Sequence, residues 1–237
     1  MVLLHGWGQT SLSFAGVVPA LEKQFRVLAP DLPGFGFSES PPAAWGSAEY
    51  AGVVGSLIKN TGFERADVLG HSFGGKVAVA LASSRPELVR RLVVVAAPVV
   101  RLPQGAGVRS RARGYTIARR LAGLAPPFRD RILEWARDRY GSEDYKAAGE
   151  LRSTFVKVVN EDWRTALKGL RSPLLLVYGE RDGDVPLAVA REALAEAPNA
   201  ELVVIEGAGH FPFLDDSDRF LDSVTTFLTA AEAPSVV

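Results

Sequence analysis

The sequence predicts an α/β fold: a mostly parallel sheet with helices on both faces and a helical insertion. Three observations lead there. Short apolar runs alternate with helical patterns along the chain. The runs carry little polar alternation, which is how strands buried on both faces read. The alternation stops between about Val99 and Arg171 and resumes at Pro173.

Taken in order, strands are expected at Val2–Leu4, Arg26–Ala29, Ala66–Leu69, Leu92–Ala96, Leu174–Tyr178 and Leu202–Ile205. Helices are expected at Phe14–Lys23, Ala48–Lys59, Gly74–Ser84, Leu187–Glu196 and Ser217–Thr229. Strand–helix alternation implies parallel neighbours, and right-handed crossovers fix most of the topology. The interruption has no strand pattern. It is rich in Arg and Ala, with turns at Pro103-Gln104-Gly105, Ala125-Pro126-Pro127 and Gly141-Ser142. The chain therefore divides into a core, residues 1–98 and 172–237, and a helical cap, residues 99–171.

Composition bounds the function. A length of 237 residues suits one domain with an insertion, and 47% hydrophobic with 23% charged residues excludes disorder and fibrous classes. The 27 basic and 27 acidic residues cancel, so net charge asks for neither nucleic acid nor a membrane surface. The balance hides an asymmetry: Arg101 to Arg171 holds 16 basic and 8 acidic residues, net +8, and the rest is net −8. Cysteine is absent, which excludes disulfides and thiolate catalysis and fits a reducing cytoplasm, the expected location. No apolar run reaches the ~18–20 residues that cross a bilayer. Met1-Val2-Leu3-Leu4 is too short, and lacks the basic flank, for a signal peptide.

The chemistry concentrates in turns that follow strands. Gly70-His71-Ser72-Phe73-Gly74-Gly75 lies between the third expected strand and a helix, the context a G-x-S-x-G nucleophile needs. Glycines let strand and helix approach, and the helix N-terminus favours negative charge beside the hydroxyl. The bland reading is a Gly-rich turn with a capping serine. A serine needs a base, and the base needs an orienting carboxylate. Of His5, His71 and His210, only His210 sits in a loop after the last strand, Gly207-Ala208-Gly209-His210-Phe211-Pro212. The acid comes from Gly179-Glu180-Arg181-Asp182-Gly183-Asp184. Asp182 is preferred because it lies nearer the strand end, and Asp184 is the rival. The order Ser72, Asp182, His210 is the one expected on such a sheet. Oxyanion donors are expected from the amides of Phe73 and of Trp7, within His5-Gly6-Trp7-Gly8. The candidate pocket residues are His5, Gly6, Phe35 and Phe211, with Tyr115 and Trp135 from the cap. No metal or cofactor is expected: there is no HExxH, EF-hand loop or P-loop, and Gly34-Phe35-Gly36 does not extend to a dinucleotide fingerprint.

These motifs, with Asp31-Leu32-Pro33-Gly34-Phe35-Gly36-Phe37-Ser38, resemble the α/β-hydrolase superfamily, of the small cap-bearing serine esterase type. The resemblance spans the chain in family order, apart from the cap. It implies an α/β-hydrolase fold and a carboxylesterase cleaving small to medium acyl esters through an acyl-enzyme on Ser72. Members begin with two antiparallel strands ahead of the first parallel strand. Here the sequence opens in that parallel strand, so either its start is truncated or the first two strands are absent, in which case Arg26–Ala29 forms an exposed edge. Epoxide hydrolases and haloalkane dehalogenases of this fold carry Asp as nucleophile, which Ser72 argues against. The His-Gly-Trp-Gly turn and basic cap resemble pimeloyl-acyl carrier protein methyl ester esterases, in which cap arginines grip an acidic carrier protein. Arg129, Arg131, Arg137 and Arg139 would serve here. An acidic small-molecule substrate, or a merely solvated helical face, accounts for the same charge. In related families the same triad serves C–C bond hydrolysis or perhydrolysis, and the same fold serves as a ligand receptor, so both readings stay open. A monomer or homodimer is expected.

Overall fold

The computed structural model describes residues 1–102, 117, 120, 122, 128–140 and 143–231. Five parallel strands lie side by side in chain order: β1 (Val2–Leu4), β2 (Ala66–His71), β3 (Val89–Val95), β4 (Leu174–Gly179) and β5 (Ala200–Ile205). The helices are α1 (Val18–Leu21), α2 (Ser47–Asn60), α3 (Phe73–Ser84), α4 (Arg129–Tyr140), α5 (Glu143–Ala147), α6 (Arg152–Asn160), α7 (Arg164–Lys168), α8 (Leu187–Glu196), α9 (Pro212–Asp215) and α10 (Ser217–Thr229).

The strands are apolar on both faces because both faces are covered. Val2, Leu4, Val68, Leu92, Val94 and Leu176 join a core with α2, α3 and α8. Their alternates Leu3, Leu69, Val93, Val95, Leu175 and Val177 join a second core with α1 and α10. The period of two in the pleat makes this division. In α10, Phe220, Val224 and Phe227 recur at helical spacing and supply the second core's lid. The α10 start is fixed by Asp216, whose side chain accepts from the Arg219 amide at 3.1 Å. Glu49 closes the start of α2 by accepting from the Gly46 amide at 2.8 Å.

Two expectations are corrected. The strand at Arg26–Ala29 reduces to a single bridge, Leu28 beside Val2. Leu28 exchanges bonds with Met1 and Leu3, at 2.9 and 2.8 Å. Pro30, without an amide, follows directly, and β1 itself is only three residues long. The helix expected over Phe14–Lys23 becomes a 3-10 turn at Ser11–Phe14 and the short α1. Pro19 is the reason: it starts a helix readily but cannot continue one.

From β1 the chain crosses outward to Leu28 and then returns to the other side of β1 to form β2. With right-handed crossovers, that reversal sends α1 and α2 to opposite faces. It also opens a crevice beyond the carboxyl ends of β1 and β2, the place where α/β sheets bind ligands. Among the described residues no helix is long and apolar enough to cross a membrane.

The turn from β2 to α3 is packed backbone against backbone. A Cβ on Gly74 would lie 2.1 Å from the Leu4 carbonyl oxygen, and one on Gly70 would lie 2.2 Å from the Gly74 oxygen. Gly74→Ala is therefore expected to lower stability by about 1–3 kcal/mol through overpacking. The check is a lower urea midpoint at unchanged denaturant slope.

Candidate active site

Three loops at the carboxyl edge of the sheet supply the site. Ser72 links β2 to α3 with φ +50° and ψ −111°, in a region that side chains other than glycine rarely adopt. Its amide donates to the Val95 carbonyl at 2.9 Å, which ties the strained turn to β3. The strain raises the side chain into the crevice.

His210 stands in the loop after β5, and its Nδ1–H donates to Asp182 Oδ2 at 2.9 Å. Asp182 follows β4. Its side chain is fully buried, and its Oδ1 accepts from the amides of Asp184 and Val185, both at 2.8 Å. Burial pushes this carboxyl up, but the bonds from His210, Val185 and Asp184 outweigh it and hold it below the usual range. Asp182 is thus a fixed anion facing one ring nitrogen, which leaves His210 Nε2 as the basic nitrogen. Asp184 contributes its backbone to this arrangement and lines the cavity.

A cavity of about 660 Å³ is lined by Ser72, His210, Trp7, Phe73, Phe155 and Phe211, among others. A second, of about 320 Å³, shares Trp7 and Asp144 with it and includes Phe35 and Leu151. Trp7 packs edge-on against Phe35, Phe73 and Phe155, with centroids 5.0–5.5 Å apart. Phe155 lies on α6, so the indole bridges the sheet and the segment over it. Among the described residues, neither the Trp7 nor the Phe73 amide donates to a protein acceptor. The Phe73 amide also opens α3, where the helix dipole adds to it.

Several expected pocket residues stand elsewhere. His5 is fully buried and lines neither cavity. Its Nε2 accepts from the Leu32 amide at 2.9 Å and its Nδ1–H donates to the Gly6 carbonyl at 2.8 Å. Both nitrogens are spent on backbone, so His5 is a strut between two loops. Gly6 lies behind it, where a Cβ would meet His71 Nδ1 at 2.9 Å. Phe35 borders the second cavity rather than the first. Trp135 is 56% exposed beside Phe128, Arg131 and Ile132 in a separate shallow groove. Tyr115 lies outside the described residues.

Sequence reasoning passed over His71 because it does not follow the last strand, and missed Lys76 altogether. His71 Nε2–H donates to the His210 carbonyl at 2.8 Å, and its ring packs against His210, Phe211 and Phe213. It holds the loop that carries His210. Among the described residues, its Nδ1 is buried without a hydrogen-bond partner. Burial, then the charge of His210, lowers its pKa to about 3, so the ring stays neutral. Lys76, also inside the cavity wall, left one signal: a lone cation in the apolar stretch Phe73–Ala82.

Asp182, Asp184 and His210 place ligand-type atoms within 4.8 Å of one another. The Asp182 oxygens are already filled by N–H donors, which suits orientation of a ring better than coordination of a cation.

Residues 1–223 match the profile of the "Alpha/beta hydrolase family". An uncharacterized protein of Mycobacterium tuberculosis is 32% identical over 262 residues, covering 98% of this chain and 76% of its own. A pimeloyl-[acyl-carrier protein] methyl ester esterase of Aeromonas hydrophila is 33% identical, with 96% and 94% covered. A 2-hydroxymuconate semialdehyde hydrolase of Pseudomonas putida is 31% identical, with 98% and 88% covered. Among solved structures, the enol-lactonase from Burkholderia xenovorans LB400 superposes with a TM-score of 0.73 at 27% identity, covering 97% of this chain and 90% of that one.

The unfolded chain protonates a histidine near pH 6.5, whereas folded His71 does so only near 3. Between those values the unfolded state binds more protons, so folding stability falls as pH falls through this window. His71→Asn is expected to remove about one proton from that slope. Urea unfolding at stepped pH checks it; an unchanged slope would mean that His71 is charged in the fold.

Proposed function

The chain belongs to the alpha/beta hydrolase family, and from that premise we propose that it is a serine hydrolase cleaving carboxylic esters of small to medium acyl groups. One observation carries the reading: a strained serine shares a cavity with a histidine whose far nitrogen is held by a buried aspartate. Ser72 Oγ attacks the ester carbonyl while His210 Nε2 takes its proton. The amides of Trp7 and Phe73 receive the oxyanion, each worth on the order of 3 kcal/mol in known oxyanion holes. His210 then protonates the leaving alkoxide, and Ser72 remains acylated. Water, giving its proton to His210, attacks the acyl-enzyme, and the acid leaves as Ser72 recovers the proton. Asp182 keeps the proton on Nδ1 and stabilises the imidazolium throughout.

A fluorophosphonate probe is expected to give one adduct, on Ser72, by intact mass and peptide mapping. Ser72→Ala is expected to abolish p-nitrophenyl ester turnover with little change in thermal unfolding. Substantial activity in a clean Ser72→Ala preparation would sink the assignment. Asp182→Asn, which leaves the ring free to adopt the wrong tautomer, is expected to lower kcat by about 10⁴-fold.

A second reading changes the substrate and keeps the machinery. Arg129, Arg131 and Arg139 are exposed on α4, and a relative is named for a methyl ester carried on an acyl-carrier protein. If an acidic carrier docks there, Arg129→Glu with Arg131→Glu raises KM about tenfold for a carrier-linked methyl ester and not for the free ester. Equal effects on both would remove the carrier reading. A vinylogous diketone in the same substrate panel tests C–C hydrolysis, the activity in the name of another relative.

A further inference from the structure

The start of α3 carries a cation that the steps above leave unused. Lys76 follows Ser72 by four residues, and its amide donates to the Ser72 carbonyl at 3.4 Å in the first turn of α3. It is 2% exposed and lines the larger cavity with Ser72, Phe73 and His210. Its Nζ donates to the Val158 carbonyl of α6 at 2.7 Å. An ammonium has three donors, and a single carbonyl does not neutralise it.

The acids whose charge reaches Lys76 are engaged elsewhere. Glu161 accepts from the Ser47 amide, the Ser47 hydroxyl and the Trp163 indole. Asp162 accepts from the amides of Arg101 and Arg164. Among the described residues, no carboxylate pairs with Nζ within 4.0 Å. Arg101, a second cation, lines the same cavity. Burial pulls the Lys76 amine down to about 8, and Glu161 offsets part of this. A buried cation without a counter-ion is expensive. A purely packing role at this helical position is met better by Leu or Met. The remaining wall includes Val100, Phe155, Val158 and Val189 alongside Asp144 and Asp184, and its apolar part suits a spacer between the scissile ester and an anion.

We infer that Lys76 is a specificity-determining residue for an anionic ester: one that carries an ionised carboxylate a short apolar spacer away from the bond that is cleaved. This rests on the serine hydrolase reading and names its substrate class. The carboxylate stands on either the acyl or the alcohol half, and the experiment separates the two.

The test compares kcat/KM for monomethyl glutarate, with an acyl-side carboxylate, and carboxymethyl butyrate, with an alcohol-side one, against neutral esters of matched length. The wild type is expected to prefer one anionic ester by about tenfold or more, the size of one charge-assisted hydrogen bond. Lys76→Met is expected to collapse that ratio to about one, and Lys76→Arg to keep it. A mere strut to α6 would lower both rates together and leave the ratio intact, which overturns the inference. So does a wild type that prefers the neutral esters. Should Lys76→Met not fold, inhibition of the wild type on a neutral ester gives the same reading. Glutarate is then expected to inhibit about tenfold more tightly than glutaramide, and equal inhibition overturns the inference. Neutral ester turnover with Ser72 labelled but no anionic preference would sink this inference alone. Absence of both labelling and turnover would sink the hydrolase mechanism beneath it.

Discussion

The approach of α3 to β1 and β2 at backbone distance is the constraint on which the site depends. Gly74 abuts the Leu4 carbonyl, Gly70 abuts Gly74, and a Cβ on Gly75 would lie 2.4 Å from the Ala97 methyl. No side chain separates helix from strand there, so the connecting turn has only one residue in which to reverse direction. Ser72 takes that turn at φ +50°, a conformation costing on the order of 1–3 kcal/mol for a residue with a side chain. Packing of the largely buried α3 and the Ser72–Val95 bond offset the cost. Ala96, at the end of the neighbouring β3, is the other non-glycine residue with positive φ among those described. The two strained residues mark the edge of the sheet where its chemistry is exposed.

The electrostatics follow from what burial permits. Asp182 remains an anion inside the protein because three N–H groups point at it. His71 is also buried, yet its bond is to a carbonyl oxygen, and a charged His210 nearby would repel a second cation. It therefore stays neutral and acts as a brace. Two histidines with rings 4.9 Å apart thus differ in role because one faces a carboxylate and the other a backbone carbonyl.

Polar ties join the segment between β3 and β4 to the core. Glu161 binds the start of α2 through Ser47, Thr154 accepts from the Trp45 amide, and Lys76 donates to Val158. Phe155 on α6 meets Trp7. These contacts set α6 over the crevice and decide which of its residues border the cavity. Little of the basic excess of this segment lies on α4, whose four arginines are offset by three acids; half of the net +8 comes from residues outside those described. Lys76, which belongs to the core, is the cation buried one turn from the proposed nucleophile.

Much of this was legible in the sequence because it rests on local chemistry. Apolar runs without alternation reveal strands covered on both faces. Glycines flanking Ser72 reveal a turn that tolerates no Cβ, and Ser72, Asp182 and His210 fall after β2, β4 and β5 in an interpretable order. The sequence also left Asp184 in contention, since two carboxylates in one loop differ only in which faces the ring. Tertiary structure settled what depends on partners distant along the chain. The expected strand at Arg26–Ala29 found only β1 to pair with and shrank to one bridge, as its length is limited by its neighbour. His5 left the pocket because Leu32 and Gly6 took both its nitrogens. Lys76 became a pocket residue because its Nζ meets the Val158 carbonyl of α6 and the side chain is closed off from water. Periodicity and turn chemistry are written residue by residue, whereas burial and charge environment belong to segments that meet only when the chain has folded.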